Sequence, residues 1–113
     1  IVSTEHTKPP YLIAAPTMRV PMILPDTTIN PYLATRAAIL AAKHSEDSGA
    51  IQSICFPGMG TGVGRVSPEM CARQMAKAFA VTLCAKYALP ESWAEASVDH
   101  QSIYSDKITR LQY

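Results

Sequence analysis

Four glycines alternate within seven residues near the middle of the chain. They are Gly58, Gly60, Gly62 and Gly64, four of the five glycines in the 113-residue sequence. A residue without a Cβ atom accepts positive φ and lets other atoms approach the backbone closely. Successive backbone amides can then point at one oxyanion. We therefore predict that residues 58–64, called the glycine loop below, bind an anion, with phosphate or diphosphate as the expected guest.

The sequence around the glycine loop predicts alternating strands and helices. Short apolar runs favour strands at residues 1–4, 11–15 and 50–57, and continuous apolar runs are typical of strands covered on both faces. Helical periodicity or capping signals predict helices over residues 30–45, 68–87 and about 93–111. Asn30 and Ser67, each followed by proline, are the expected N-caps of the first two helices. Layered α/β packing, with helices covering a sheet, follows from this order.

Two loops are expected to flank one cleft. Residues 16–29 contain Pro16, Pro21 and Pro25 and predict a long surface loop, because proline lacks an amide donor. That loop and the glycine loop both leave the carboxyl ends of predicted strands, where ligands of open α/β sheets bind. Arg19 and Arg65 border this cleft as candidate phosphate contacts, with exposed or salt-bridged surface roles as alternatives.

Two common phosphate-binding motifs do not fit the spacing. A P-loop would require Gly-Lys followed by Ser or Thr after four intervening residues, but Val63 stands at that point. A G-x-G-x-x-G dinucleotide motif starting at Gly58 would also require glycine at Val63. ATPase and dehydrogenase functions are therefore disfavoured.

The sequence resembles the macro domain family, whose members bind ADP-ribose. The resemblance is carried by the Phe56-Pro57 strand end, the Gly60-Thr61-Gly62-Val63 loop and the small-residue helix from Pro68, and it covers about residues 11–87. It implies a three-layer α/β/α fold with a mixed sheet. It further implies that the amides of Gly60, Thr61, Gly62, Val63 and Gly64 bind the diphosphate and distal ribose. The family often carries an aromatic residue where Gly64 stands.

The resemblance also implies that this chain holds the C-terminal portion of such a domain. The first strands of the family, with its adenine-binding Asp and its Asn- and Gly-rich loop, precede the matched region. We thus expect a single, partial domain over residues 1–113, with residues 91–113 as a C-terminal extension. An unpaired sheet edge is prone to pairing, so we expect another chain or an upstream segment to complete the sheet.

Composition narrows the other possibilities. The net charge of +1 gives no electrostatic argument for a nucleic-acid or membrane partner. Cys55, Cys71 and Cys84 have neither disulfide nor zinc spacing, which favours buried thiols in a reducing, cytoplasmic compartment. His6, His44 and His100 are scattered, so no metal site and no cofactor are expected.

Three functions remain open. The first is a module that binds ADP-ribose or a related nucleotide diphosphate through the glycine loop. The second is a hydrolase that processes ADP-ribose derivatives, for which no catalytic residue is identified. The third is an assembly protein that uses a macro-like fold without a ligand.

Overall fold

Two helices packed against each other form the body of the molecule. The computed structural model describes residues 1–84 and 87–110. It contains helix α1 (Asn30–His44), helix α2 (Pro68–Leu83) and helix α3 (Trp93–Ser102). In this part of the chain no helix is both long and apolar enough to span a membrane.

The apolar core lies in two clusters along these helices. The first joins the glycine loop and the proline-rich loop to both helices and contains Leu24, Ala34, Met59, Val66 and Cys71. The second joins the helices to the C-terminal part of the chain and contains Tyr32, Ala78 and Ile103. Ala78 of α2 and Ala38 of α1 are both buried.

Helix α1 begins differently from the sequence prediction. Asn30 lies inside the helix, Ile29 is at the cap position, and no side chain caps the helix from there. The Asn30 side chain instead donates from Nδ2 to the carbonyl oxygen of Thr17, at 2.7 Å. The prediction that Asn30 is the N-cap is wrong, because a contact with the distant proline-rich loop takes its amide group.

Helix α2 begins as its sequence predicts. Ser67 is the N-cap, and its Oγ accepts a hydrogen bond from the Met70 amide at 3.2 Å. Pro68 stands in the first turn, where a missing N–H costs no helical bond. Helix α2 ends at Leu83, before the predicted end at residue 87, and α3 ends at Ser102, before residue 111.

The expected three-layer α/β/α fold with a mixed sheet is wrong. The described residues form one two-stranded antiparallel sheet, from β1 (Val2–Ser3) and β2 (Tyr11–Leu12), in which Val2 pairs with Leu12 and Ser3 with Tyr11. The predicted strand over residues 50–57 is also wrong, because residue 50 lies in a turn and residues 51–57 form no strand. Residues 11–12 pair with β1 instead, and residues 11–13 and 50–57 line a cavity of about 880 Å³.

A buried glutamine of α2 joins the two packed helices. Gln74, which is fully buried, donates from Nε2 to the Thr28 carbonyl at 2.8 Å and accepts from the Tyr32 amide through Oε1 at 3.2 Å. This residue of α2 therefore satisfies one of the free amides at the start of α1.

The C-terminal part of the chain is fixed to α2 by two cations one helical turn apart. Arg73 donates to the carbonyl oxygens of Ser102 and Ser105 at 2.7 and 3.0 Å, and Lys77 contacts Asp99 at 3.0 Å. Residues 91–110 are thus attached to the helical body, while the side chain of Trp93, with 83% exposure, does not anchor them.

Candidate anion-binding loop

The glycine loop consists of two consecutive turns. The Thr61 amide donates to the Gly58 carbonyl at 3.3 Å, and the Arg65 amide donates to the Gly62 carbonyl at 3.1 Å. Gly60 has φ +75°, as the third position of a type II turn requires. Arg65, which closes the second turn, also has positive φ, at +55°.

Gly60 and Gly64 are glycines for reasons internal to the fold. A Cβ atom on Gly64 would lie 2.7 Å from the Gly60 carbonyl oxygen and 3.0 Å from a methyl group of Leu24. At Gly60 the positive φ alone disfavours a side chain. An aromatic side chain at position 64 therefore cannot be placed in this loop without moving its backbone.

Gly58 and Gly62 differ from these two. The nearest atoms to a Cβ on Gly58 belong to the Thr61 side chain, at 2.8 Å from Oγ1, and this side chain can rotate. A Cβ on Gly62 would meet no atom within 4 Å, and Gly62 does not have positive φ. Nothing in the described structure requires glycine at position 62, so space above this residue is available to a ligand.

The loop offers several free backbone donors. Of the five amides expected to contact a diphosphate, that of Thr61 is used within its turn. The amides of Gly60, Gly62, Val63 and Gly64 donate to no group in the described residues. Gly64 is buried, and a buried amide without a partner is unusual.

The N-terminus of α2 follows closely after the glycine loop in the sequence, but it is poorly suited to bind an anion. Ser67 already caps the Met70 amide, and the carboxylate of Glu69 lies in the first turn. A second negative charge near that carboxylate is unfavourable. Any anion site here therefore depends on the two turns rather than on the helix dipole.

The proline-rich loop packs onto the glycine loop. The Leu24 amide donates to the Gly64 carbonyl at 3.0 Å, and Leu24 and Met18 side chains belong to the adjoining core cluster. The two loops are therefore neighbours, joined by this hydrogen bond and by apolar contacts. The large cavity of the molecule is lined by Pro57 and Met59 but by none of residues 60–64.

The charged candidates lie at the surface. Arg19 and Arg65 are exposed, and neither forms an ion pair within residues 1–84 and 87–110. Sequence reasoning missed Leu24 as a partner of the glycine loop. The run of three apolar residues that ends at Leu24, just before Pro25, is the one sequence signal, and it does not specify a contact.

Cysteine, histidine and carboxylate side chains do not by themselves form a second site in the part of the chain that the structure describes. Cys71 is buried as expected, whereas Cys55 and Cys84 are exposed, so the prediction of buried thiols is wrong for these two. Within the described ranges, no three His, Cys, Asp or Glu side chains are grouped as metal ligands would be. His100 packs edge-on against Tyr104, with ring centroids 5.8 Å apart.

Comparisons with models of known protein families, with curated proteins and with solved structures found no match to this chain. The macro domain resemblance therefore stays a prediction from the sequence.

Proposed function

We propose that the glycine loop binds the diphosphate of ADP-ribose or of a related nucleotide, as a macro-like binding module. The observation that supports this most is the set of unpaired amides at Gly60, Gly62, Val63 and Gly64, set in two tight turns. Backbone amides in such turns are suited to an oxyanion with several acceptor atoms.

Binding is proposed rather than turnover because the loop supplies donors but no base. Between residues 58 and 64 the one side-chain hydroxyl is that of Thr61, and its Oγ1 contacts the Gly58 carbonyl oxygen at 2.8 Å. A cytoplasmic location is part of this proposal, and the free thiols of Cys55 and Cys84 support it.

Calorimetric titration with ADP-ribose tests the proposal, with Gly62→Glu as the decisive variant. The added carboxylate has room and would repel an anion at the loop. We expect at least tenfold weaker binding, about 1.4 kcal/mol. Inorganic pyrophosphate should compete with ADP-ribose if the diphosphate is the recognised group.

Gly49→Glu is a matched control. Gly49 is also exposed, also lacks positive φ, and a Cβ there would also meet no atom within 4 Å, but it lies outside the glycine loop. Its binding should equal that of the wild type. Absence of heat at millimolar ADP-ribose from folded protein, or equal losses in the two variants, would contradict the proposal.

A further inference from the structure

Most of the sulfur atoms of the molecule belong to one apolar cluster of the core. The chain has three cysteines and five methionines. Cys71 and Met59 are buried members of the cluster that joins the glycine loop to α1 and α2, and the partly buried Met18, Met70 and Met75 pack against it. These five side chains, called the sulfur cluster below, come from three separate parts of the chain, so the fold brings them together.

Two sulfur atoms of the cluster are in direct contact. Cys71 Sγ lies 3.5 Å from Met75 Sδ, one turn later on α2, in a hydrogen bond that the thiol donates. A lone pair of the thioether therefore already points at the thiol hydrogen. Thiolate and thioether sulfurs are the soft ligands that select Cu(I). A Cu(I) ion in place of the thiol proton would be bound by both sulfurs without a change in their direction.

The distance between these two sulfurs calls for a third ligand. With metal–sulfur bonds of about 2.3 Å, a separation of 3.5 Å corresponds to an S–Cu–S angle of about 100°. That angle suits a site with three or four ligands and not a linear site with two. Met59 carries the other buried sulfur of the cluster, and its thioether is the third ligand that we assign.

The charge of the site favours a monovalent cation. One thiolate carries one negative charge, and thioethers are neutral, so Cu(I) gives a site without net charge. Among the described residues of this core cluster, no side chain is charged and none is an imidazole. Zn²⁺ bound by one thiolate would leave a positive charge in these apolar surroundings, where an unpaired charge is costly.

The buried ligands can be reached from the surface. Cys71 is 4% exposed, but Met59 also lines the cavity of about 880 Å³. Met18, Met70 and Met75 are partly exposed at the edge of the cluster. Methionines also fill irregular gaps in cores. That packing role does not require sulfur, because leucine fills a similar volume, and this difference makes the two roles separable.

We propose that Cys71, Met75 and Met59 form a binding site for one Cu(I) ion. On binding, the S–H bond of Cys71 breaks, a bond forms between Sγ and copper, and the proton passes to solvent. Copper stays in the Cu(I) state throughout. The proposal does not depend on nucleotide binding, because its ligands are side-chain sulfurs and not the amides of the glycine loop.

Titration of the full chain with Cu(I), buffered by the chromophoric chelator bicinchoninate, tests this site. Cys55→Ser and Cys84→Ser are carried throughout, because these exposed thiols would also bind Cu(I). We expect one Cu(I) bound and one proton released per chain. X-ray absorption should show only sulfur neighbours, at about 2.3 Å. Zn²⁺ should bind far more weakly than Cu(I).

Met75→Leu removes one ligand but keeps the apolar volume, and Met22→Leu is the matched control at an exposed thioether. Loss of a partner that only orients a ligand costs about 10–100-fold in metal affinity. Loss of a ligand should cost at least as much, so Met75→Leu should bind Cu(I) at least about tenfold more weakly. Met22→Leu should bind as the parent does, and Cys71→Ala should lose the site.

Circular dichroism shows whether each variant is folded. Absence of Cu(I) binding by folded parent protein, equal affinity in Met75→Leu and the parent, or nitrogen and oxygen neighbours of copper would overturn the proposal. So would a dimer that forms on addition of Cu(I), because the site lies within one chain. Unchanged affinity in Met59→Leu would overturn the assignment of the third ligand.

Discussion

At the scale of single residues, one glutamine connects two helices that are far apart in sequence. Gln74 is fully buried and satisfies the carbonyl of Thr28 and the amide of Tyr32. Both backbone groups lie around the start of α1, where amides lack helical partners. The glutamine therefore acts as a cap supplied by a different helix.

Replacing Gln74 by alanine should strongly destabilise the protein. Two buried backbone groups would lose their partner, at about 1–3 kcal/mol each, so we expect the free energy of unfolding to fall by about 2–6 kcal/mol. Urea denaturation measures the change. Gln52→Ala, at an exposed position, should change it by less than about 0.5 kcal/mol. Equal effects of the two substitutions would show that the buried hydrogen bonds contribute nothing.

The hydroxyls of Thr35 and Thr28 provide a second test of what buried hydrogen bonds contribute to stability. The hydroxyl of Thr35 is buried and has no hydrogen-bond partner in the described residues, whereas that of Thr28 accepts from the Asn30 amide at 3.2 Å. Thr35→Val removes an unsatisfied polar group without changing shape and should stabilise the protein by about 1 kcal/mol. Thr28→Val should destabilise it by a similar amount. Thermal denaturation of both variants tests this, and destabilisation by Thr35→Val would show that its hydroxyl is satisfied.

At the scale of elements, Arg73 of α2 holds the C-terminal segment through backbone carbonyls more than through its ion pair. Arg73 binds two carbonyl oxygens of that segment, and its ion pair with Asp106 involves a carboxylate side chain that is 91% exposed. Exposed ion pairs contribute little, because water screens them.

Removing the Arg73 guanidinium should therefore loosen the segment more than removing its carboxylate partner. In Arg73→Met the carbonyls of Ser102 and Ser105 lose their donors, and hydrogen exchange at residues 103–105 should accelerate. Asp106→Asn should change stability by less than about 0.5 kcal/mol. If Asp106→Asn accelerated exchange equally, the ion pair would be the main attachment.

The elements also show what the sequence can specify. The start of α2 was predicted correctly, because Ser67 and Pro68 act on amides within three residues of themselves. The N-cap of α1 was predicted wrongly, because the side-chain amide of Asn30 donates to the carbonyl oxygen of Thr17, thirteen residues away. The prediction of a mixed sheet was wrong because pairing also depends on residues far apart in sequence. Apolar runs indicate extended chain, but they do not show whether another strand lies beside it.

The candidate site was predictable to a similar extent. The alternation of glycines predicted backbone that accepts positive φ, and Gly60 has φ +75°. It did not indicate that Gly60 and Gly64 are required by contacts within the protein while Gly62 is not. That distinction depends on Leu24, whose position no local pattern specifies.

At the scale of the whole molecule, the chain is less compact than its length implies. A globular domain of this size has an expected radius of gyration of about 13 Å, whereas the value here is 15.8 Å, with extents of 52 × 32 × 22 Å. Among the described residues, the element pairs in close contact are α1 with α2 and β1 with β2.

The hydrogen bond between Tyr87 and Asp99 should make the stability of the molecule fall at alkaline pH. Partial burial, and then the hydrogen bond from its hydroxyl to Asp99 at 3.0 Å, raise the pKa of Tyr87 above 10.0. Because the folded state holds this proton more tightly than the unfolded state, the contribution is complete below pH 10.0 and is lost as pH rises above it.

Denaturation at pH values from 8 to 11 should therefore show a falling free energy of unfolding, and the fall should be smaller in Tyr87→Phe. Burial also raises the pKa of Tyr32, so part of the fall should persist in that variant. An identical pH dependence in wild type and Tyr87→Phe would mean that the hydrogen bond to Asp99 is not maintained in solution.

The contact between Leu24 and Gly64 has a consequence for the glycine loop as a module. Its two turns are held by an amide and a side chain from a segment about forty residues earlier, not by the seven residues alone. Grafting residues 58–64 into another protein would transfer the glycines without the support that shapes them. We therefore expect that residues 58–64 would not keep this conformation in another protein. Substitutions in the proline-rich loop should change the affinity of the glycine loop for its proposed ligand without contacting that ligand.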